Sequence, residues 1–246
     1  MSTRHILATS GGFLGDDLAR SNARVPGRLF LEALRLSGRE RPRVLFVMTA
    51  SGDDKSYLAM SHQAVRDLSV DSDHLVVFPY PNQDPAEAFG RADVVWVGGG
   101  SVANLLALWR VHGIDDAARD AWERGVVLGG VSAGSICWHV GGPTDSFSPV
   151  LRPITNGLGL IPYGAGVHYD SEEQRRPLLH SLVRDGVLPT SYATDDRVGI
   201  RYEGTEPVEV ITDYDVDPAT GPAAYRVERG ASGEPVETRL PPGPLT

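Results

Sequence analysis

Gly129-Gly130-Val131-Ser132-Ala133-Gly134-Ser135-Ile136-Cys137 follows directly on the apolar run Gly125-Val126-Val127-Leu128. The run reads as a buried strand. Gly130-Val131-Ser132-Ala133-Gly134 is a full G-x-S-x-G match. That pattern describes a nucleophile elbow: a strand ends, the chain turns sharply, and a helix begins. Glycines on both sides keep Cβ atoms clear of the strained turn. Ser132 is then expected at the top of a sheet, at a helix N-terminus whose amides favour negative charge such as a tetrahedral oxyanion. A tight strand–helix turn that simply needs small residues has the same local pattern, so the flanking chain decides.

Upstream, strand-like and helix-like stretches alternate. Arg4–Thr9 reads as a first strand ended by Ser10-Gly11-Gly12, and Arg28–Leu36 as an amphipathic helix. Arg43–Thr49 is a continuous apolar run, the form of a strand covered on both faces. A helix over 54–68, a strand over His74–Phe78 and a turn-rich loop over Pro79–Pro85 follow. Asp93–Val97 is a fourth strand running into Gly98-Gly99-Gly100-Ser101, then helices over 102–110 and 115–124. Five strand–helix alternations predict an α/β fold with a mainly parallel sheet. Ligands in such sheets bind beyond the strand C-termini. The triple glycine and Ser132 both fall there. If their strands are neighbours, both loops face one cleft. The glycines serve either helix packing or close approach of a ligand to backbone amides. The fingerprint G-x-G-x-x-G is absent after the first strand, which argues against dinucleotide binding.

Downstream, 138–153 is rich in Gly, Pro and Ser, Asn156–Pro162 reads as a turn and short strand, and Gly166–Asp170 as a strand ending in a polar loop. A helix over 172–184 and short strands at Thr190–Ala193, Val198–Glu203, Val208–Thr212 and Ala224–Glu228 follow, the last four suggesting an antiparallel edge. One domain over 1–229 and a loose Pro/Gly-rich tail over 230–246 are expected.

The 246 residues carry a formal net charge of −9 at pH 7 and no Lys/Arg run, which disfavours nucleic acid as a partner. Cys137 is the single cysteine, so no internal disulfide forms. No signal peptide or membrane-length apolar stretch is present, and a cytoplasmic protein without membrane partners is expected. No Cys/His ligand spacing suggests a metal, and no cofactor is expected.

A serine nucleophile needs a base, and the base an orienting acid. His168 ends a strand where a sheet-top cleft would be built, and is the candidate base. His5 precedes a buried strand, His74 starts one, His62, His112 and His180 belong to polar helices, and His139 on the helix leaving the elbow should point away. Asp145, in a loop able to fold back over the cleft, is the candidate acid. Asp170 and Glu172 are close to His168 in sequence, and Asp195 and Asp196 read as a turn. Ser132, Asp145 and His168 follow the chain order of α/β-hydrolases, but their tight spacing disfavours an ordinary lipase or esterase.

Val97-Gly98-Gly99-Gly100-Ser101, Ser132-Ala133-Gly134-Ser135, Thr144-Asp145-Ser146-Phe147, Gly157-Leu158-Gly159-Leu160 and His168-Tyr169 together resemble the peptidase E family of serine peptidases, family S51. The resemblance runs from about Arg4 to Glu228. It implies a class I glutamine amidotransferase-like fold, a three-layer αβα sandwich, with Ser132 as nucleophile, His168 as base and Asp145 as third member. It implies an oxyanion hole from Gly99, Gly100 and Ala133. The family includes aspartyl dipeptidases and cyanophycinases, so a small peptide is the implied substrate; a homodimer is left open. Aspartyl dipeptidases carry a longer segment after the histidine, with an arginine that reads the substrate aspartate; here Arg175 or Arg176 would have to substitute. Amidotransferases of this fold use a cysteine at the elbow, where this chain has Ser132; Cys137 is expected in the core. Hydrolysis of another amide or ester, and a binding protein without turnover, are the rival readings.

Overall fold

The computed structural model describes residues 3–15 and 24–245. The strand ahead of the elbow, Val127–Val131, lies inside an eight-stranded sheet. His5–Thr9 pairs with it on one side and Val94–Val97 on the other; Arg43–Val47 and Asp71–Leu75 continue the sheet, all parallel. Side chains alternate across each strand. Leu7, Phe46 and Trp96 pack on one face against Leu29 and Phe30 of helix Arg28–Leu36 and Leu58 of helix Lys55–Val65. Ile6, Val95 and Leu128 pack on the other face against Phe89, Trp109 and Ala118 of helices Pro85–Arg91, Val102–His112 and Ile114–Glu123. Covering both faces explains the unbroken apolar runs of these strands, and gives the expected three-layer αβα sandwich.

Beyond His5–Thr9 the sheet is extended antiparallel by Val198–Glu203, Glu206–Thr212 and Gly243–Pro244. A second sheet runs Gly164–Gly166, Ser191–Thr194, Ala224–Arg229, Pro235–Leu240, and helix Arg175–Arg184 packs on it. The two sheets share one core, in which Ala165, Tyr192 and Ala224 join Ile200 and Tyr202.

Several expectations change. Residues 230–245, expected within a loose tail over 230–246, carry the strands Pro235–Leu240 and Gly243–Pro244. Gly230 donates its N–H to Glu234 at 2.8 Å, closing a turn that sends Pro235–Leu240 back along Ala224–Arg229. The glycines make the hairpin rather than loosen the chain. The third strand is Asp71–Leu75, not His74–Phe78. An edge strand tolerates the polar Asp71, Ser72 and Asp73, while Val77 and Phe78 leave the sheet and donate their N–H groups to buried Asp53 at 2.5 and 3.1 Å. The strand before His168 is Gly164–Gly166, no strand forms over Asn156–Pro162, and the following helix starts at Arg175.

Candidate active site

Ser132 has φ 57° and ψ −114°, a conformation that costs a non-glycine residue about 1–3 kcal/mol. Its N–H donates to Thr9 O at 3.0 Å, and its carbonyl accepts from Ser135 and Ile136, each at 2.9 Å. The flanking glycines are required by close approach. A Cβ on Gly130 would lie 2.4 Å from Gly134 O, and one on Gly134 would lie 2.3 Å from Val97 O. The helix after the elbow is one turn, Ala133–Ile136. So short a helix has little macrodipole, and charge stabilisation falls to individual amides.

The Val94–Val97 and Val127–Val131 strands are hydrogen-bonded neighbours, so Gly98–Gly100 and Ser132 emerge at the same end of the sheet. A Cβ built on Gly99 would lie 3.4 Å from Ser132 Cβ and 3.9 Å from Ser132 Oγ. Gly100 packs against the Ala50 carbonyl, where a Cβ would sit 2.3 Å from oxygen. Gly99 and Ala133 therefore flank the serine directly, with Gly100 next along the loop.

His168 is held at φ 51°. Its N–H donates to Ser10 Oγ at 3.0 Å, and Ser10 Oγ also bonds Thr194 Oγ1 at 2.7 Å. Thr9 and Ser10 thus anchor Ser132 and His168 from one strand end. His168 Nδ1 lies 2.5 Å from Asp196 Oδ1. With an ionised carboxylate as acceptor the proton belongs on Nδ1, and Nε2 keeps its lone pair. Asp170 Oδ1 accepts the Asp196 N–H at 2.8 Å, steadying the acid. Ser132 Oγ and His168 are not hydrogen-bonded to each other.

The partner of His168 is Asp196, not Asp145. The Asp145 loop is fixed elsewhere: Thr144 and Ser146 bond to each other at 2.7 Å, and Ala103 donates to Ser146 Oγ at 3.3 Å. Asp145 faces a surface hollow with Pro149, Leu151 and Glu172. Sequence reading passed over Asp196 because an Asp-Asp pair looks like a turn. The missed signal is the parallel pairing of Gly164–Gly166 with Ser191–Thr194, which brings the two strand ends out together. Asp195, the neighbouring residue, turns inward to accept from Ala223 N at 2.9 Å and Tyr225 OH at 3.1 Å, and burial raises its carboxyl above the usual range.

Arg175 and Arg176 do not face the cleft. Arg175 is buried, donating to Glu172 and to Pro143 O, each at 2.7 Å. Arg176 bonds Glu237 at 2.5 Å and lies over the rings of Tyr169 and Tyr225, 4.4 and 4.6 Å from their centroids. Glu237 belongs to the stretch read as a tail, so this partner was invisible. Among the described residues, the arginines lining the cleft are Arg24 and Arg197.

The cleft holds about 800 Å³ and is walled by Phe13, Tyr57, Met60, His168, Asp196 and Arg197 among others. Cys137 lies in the core, where burial pushes its thiol up, away from reactivity. Among the described residues no group of three or more His, Cys, Asp or Glu could hold a metal ion, and no helix is long and apolar enough to cross a membrane.

The model of peptidase family S51 matches residues 21–210. An uncharacterized peptidase, YgaJ, of Bacillus subtilis is 37% identical over 208 residues, covering 85% of this chain and 87% of that protein. Peptidase E of Shewanella denitrificans is 29% identical over 143 residues, covering 54% and 59%. The crystal structure of a peptidase from an acI-B1 Actinobacterium superposes with a TM-score of 0.72 over 99% of this chain and 97% of that one, at 16% identity, which speaks for the fold.

Proposed function

This chain belongs to peptidase family S51 and is a peptidase, and on that premise we propose that it hydrolyses short peptides through an acyl-enzyme on Ser132. The reading rests above all on the His168–Asp196 pair, which lines the cleft together with Val131, the residue before the strained Ser132. Asp196 takes the orienting role in place of Asp145. His168 Nε2 removes the Ser132 hydroxyl proton as Oγ attacks the scissile carbonyl carbon. The carbonyl electron pair moves to oxygen, and the amides of Ala133 and Gly100 receive the charge. The C–N bond then breaks, the proton on His168 passes to the leaving amine, and water repeats the sequence to release the acid. A direct Ser132–His168 hydrogen bond is expected to form with substrate, as catalytic bonds tighten in the Michaelis complex. A cleft of this size suits a dipeptide or similar small peptide better than a folded chain.

Reaction with a fluorophosphonate followed by mass spectrometry tests the nucleophile. One adduct on Ser132, missing in Ser132→Ala, is expected. Peptide turnover should fall on the order of 10⁴–10⁶-fold in that variant. A folded wild-type protein that neither labels nor cleaves any member of a dipeptide panel refutes the reading. Members with acidic and neutral first residues report the specificity.

A further inference from the structure

Tyr57 stands on the first turn of helix Lys55–Val65, on the cleft wall facing the triple glycine. Asp54 Oδ1 accepts its N–H at 2.7 Å, and its carbonyl accepts from Ser61 Oγ at 2.9 Å, so its backbone is fixed. The ring fills the space beside Gly98. A Cβ there would lie 3.1 Å from Tyr57 Cε1 and 3.4 Å from Cζ, the carbon that bears the hydroxyl. The Gly99 N–H is directed at that hydroxyl oxygen and favours the ionised phenol, against the stronger effect of burial. Gly99 in turn is the residue packed against Ser132 Cβ and Oγ. The phenol is therefore one backbone amide away from the serine.

We propose that the Tyr57 hydroxyl is a side-chain donor of the oxyanion hole, taking the Gly99 N–H on its oxygen and giving its own O–H to the substrate carbonyl oxygen. The proposal rests on the acyl-enzyme reading of Ser132. As Ser132 Oγ bonds to the carbonyl carbon, the π electron pair moves to oxygen, and Tyr57 O–H donates to it. The phenol keeps its proton throughout; the proton in transit runs from Ser132 to His168 to the leaving amine. Burial, the largest influence on Tyr57, raises its ionisation above the ordinary phenol range and keeps the hydroxyl a donor at neutral pH. Arg24, also on the cleft wall, acts in the other direction and strengthens the phenol as a donor.

Tyr57→Phe keeps the ring against Gly98 and removes only the hydroxyl. With a cleaved peptide from the panel, kcat should fall about 10²–10³-fold, the effect of losing one oxyanion donor. KM should stay within about twofold, and fluorophosphonate labelling of Ser132 should slow in parallel, because the phosphonyl oxygen occupies the same hole. Wild-type rates in folded Tyr57→Phe overturn the proposal. A wild type that neither labels nor turns over overturns the serine mechanism and this inference together.

Fluorotyrosine at position 57 serves if Tyr57→Phe folds poorly, and it separates donation from mere support of the loop. Its phenolate can still accept the Gly99 N–H but cannot donate. Donation moves the alkaline limb of kcat to lower pH in the fluorotyrosine enzyme. An unmoved limb overturns it.

Discussion

The side chain of Ser10 accepts the backbone N–H of His168 at 3.0 Å, linking residues 158 positions apart. Ser10 is buried and follows Thr9, whose carbonyl accepts the Ser132 N–H. One strand end thus fixes the two positive-φ residues proposed as nucleophile and base. Ser10→Ala strands a His168 N–H that has no other partner among the described residues. A loss of about 1–3 kcal/mol in urea unfolding is expected, the cost of an unsatisfied buried donor. Turnover should fall more than KM rises. Wild-type stability and kcat together would show that Ser10 does not hold His168.

Asp196→Asn and Asp145→Asn should differ sharply. Asp196 is 2.5 Å from His168 Nδ1, whereas Asp145 sits in a separate surface hollow. An amide at 196 no longer enforces the Nδ1–H tautomer, and kcat should drop on the order of 10²–10⁴-fold. Asp145→Asn should stay within a few fold of wild type. Steady-state kinetics on both variants decides, and the reverse ranking would return the acid to Asp145.

Gly134→Ala should destabilise the whole elbow. Its Cβ would lie 2.3 Å from Val97 O and 2.7 Å from Val97 C, both backbone atoms that cannot swing aside. Overpacking of this kind costs roughly 1–3 kcal/mol or more. Thermal unfolding should show the loss, and Gly113→Ala serves as the comparison for a glycine whose added Cβ meets nothing within 4 Å. Gly113 has φ 68°, so only backbone strain is expected there. Equal losses at both sites would remove close packing as the reason for the motif's second glycine.

His139 couples stability to pH. It is buried between Ser135 O at 2.9 Å and Tyr202 OH at 3.4 Å, and burial lowers its pKa to about 4. Above pH 6.5 the imidazole is neutral in both folded and unfolded chains, and the contribution is fully present. As pH falls from 6.5 toward 4 the unfolded chain takes up the proton first, and stability drops by roughly a kcal/mol per pH unit. Below the folded pKa the loss levels off. Urea midpoints at several pH values should show this slope in the wild type and a shallower one in His139→Gln. Parallel slopes would assign the acid sensitivity to other groups.

Local patterns made much of the molecule legible in advance. Short apolar runs such as Val94-Val95-Trp96-Val97, β-branched and ended by glycines, read as strands covered on both faces. Their alternation with amphipathic helices limits the chain to a parallel α/β sheet. The tight turn at Ser132 is readable because its glycines answer contacts made within a few residues and with the adjacent strand. His168 stood out by its place at a strand end.

The acid, the two arginines and the C-terminal hairpin were not legible, for one common reason. Each depends on which distant segments pair. Asp196 reaches His168 because Ser191–Thr194 lies parallel to Gly164–Gly166. Arg176 is drawn away from the cleft by Glu237, on a strand that reads as Gly/Pro-rich tail. Tyr57 meets the glycine loop only because its helix and the Val94–Val97 strand pack on the same sheet. Short-range patterning therefore settles the fold class and the tight strand–turn–helix at Ser132, whose causes lie within one such unit. Which carboxylate pairs with His168 and which side chains line the cleft follow from strand pairing and helix packing across the chain, since a side chain's partners depend on where its whole element docks.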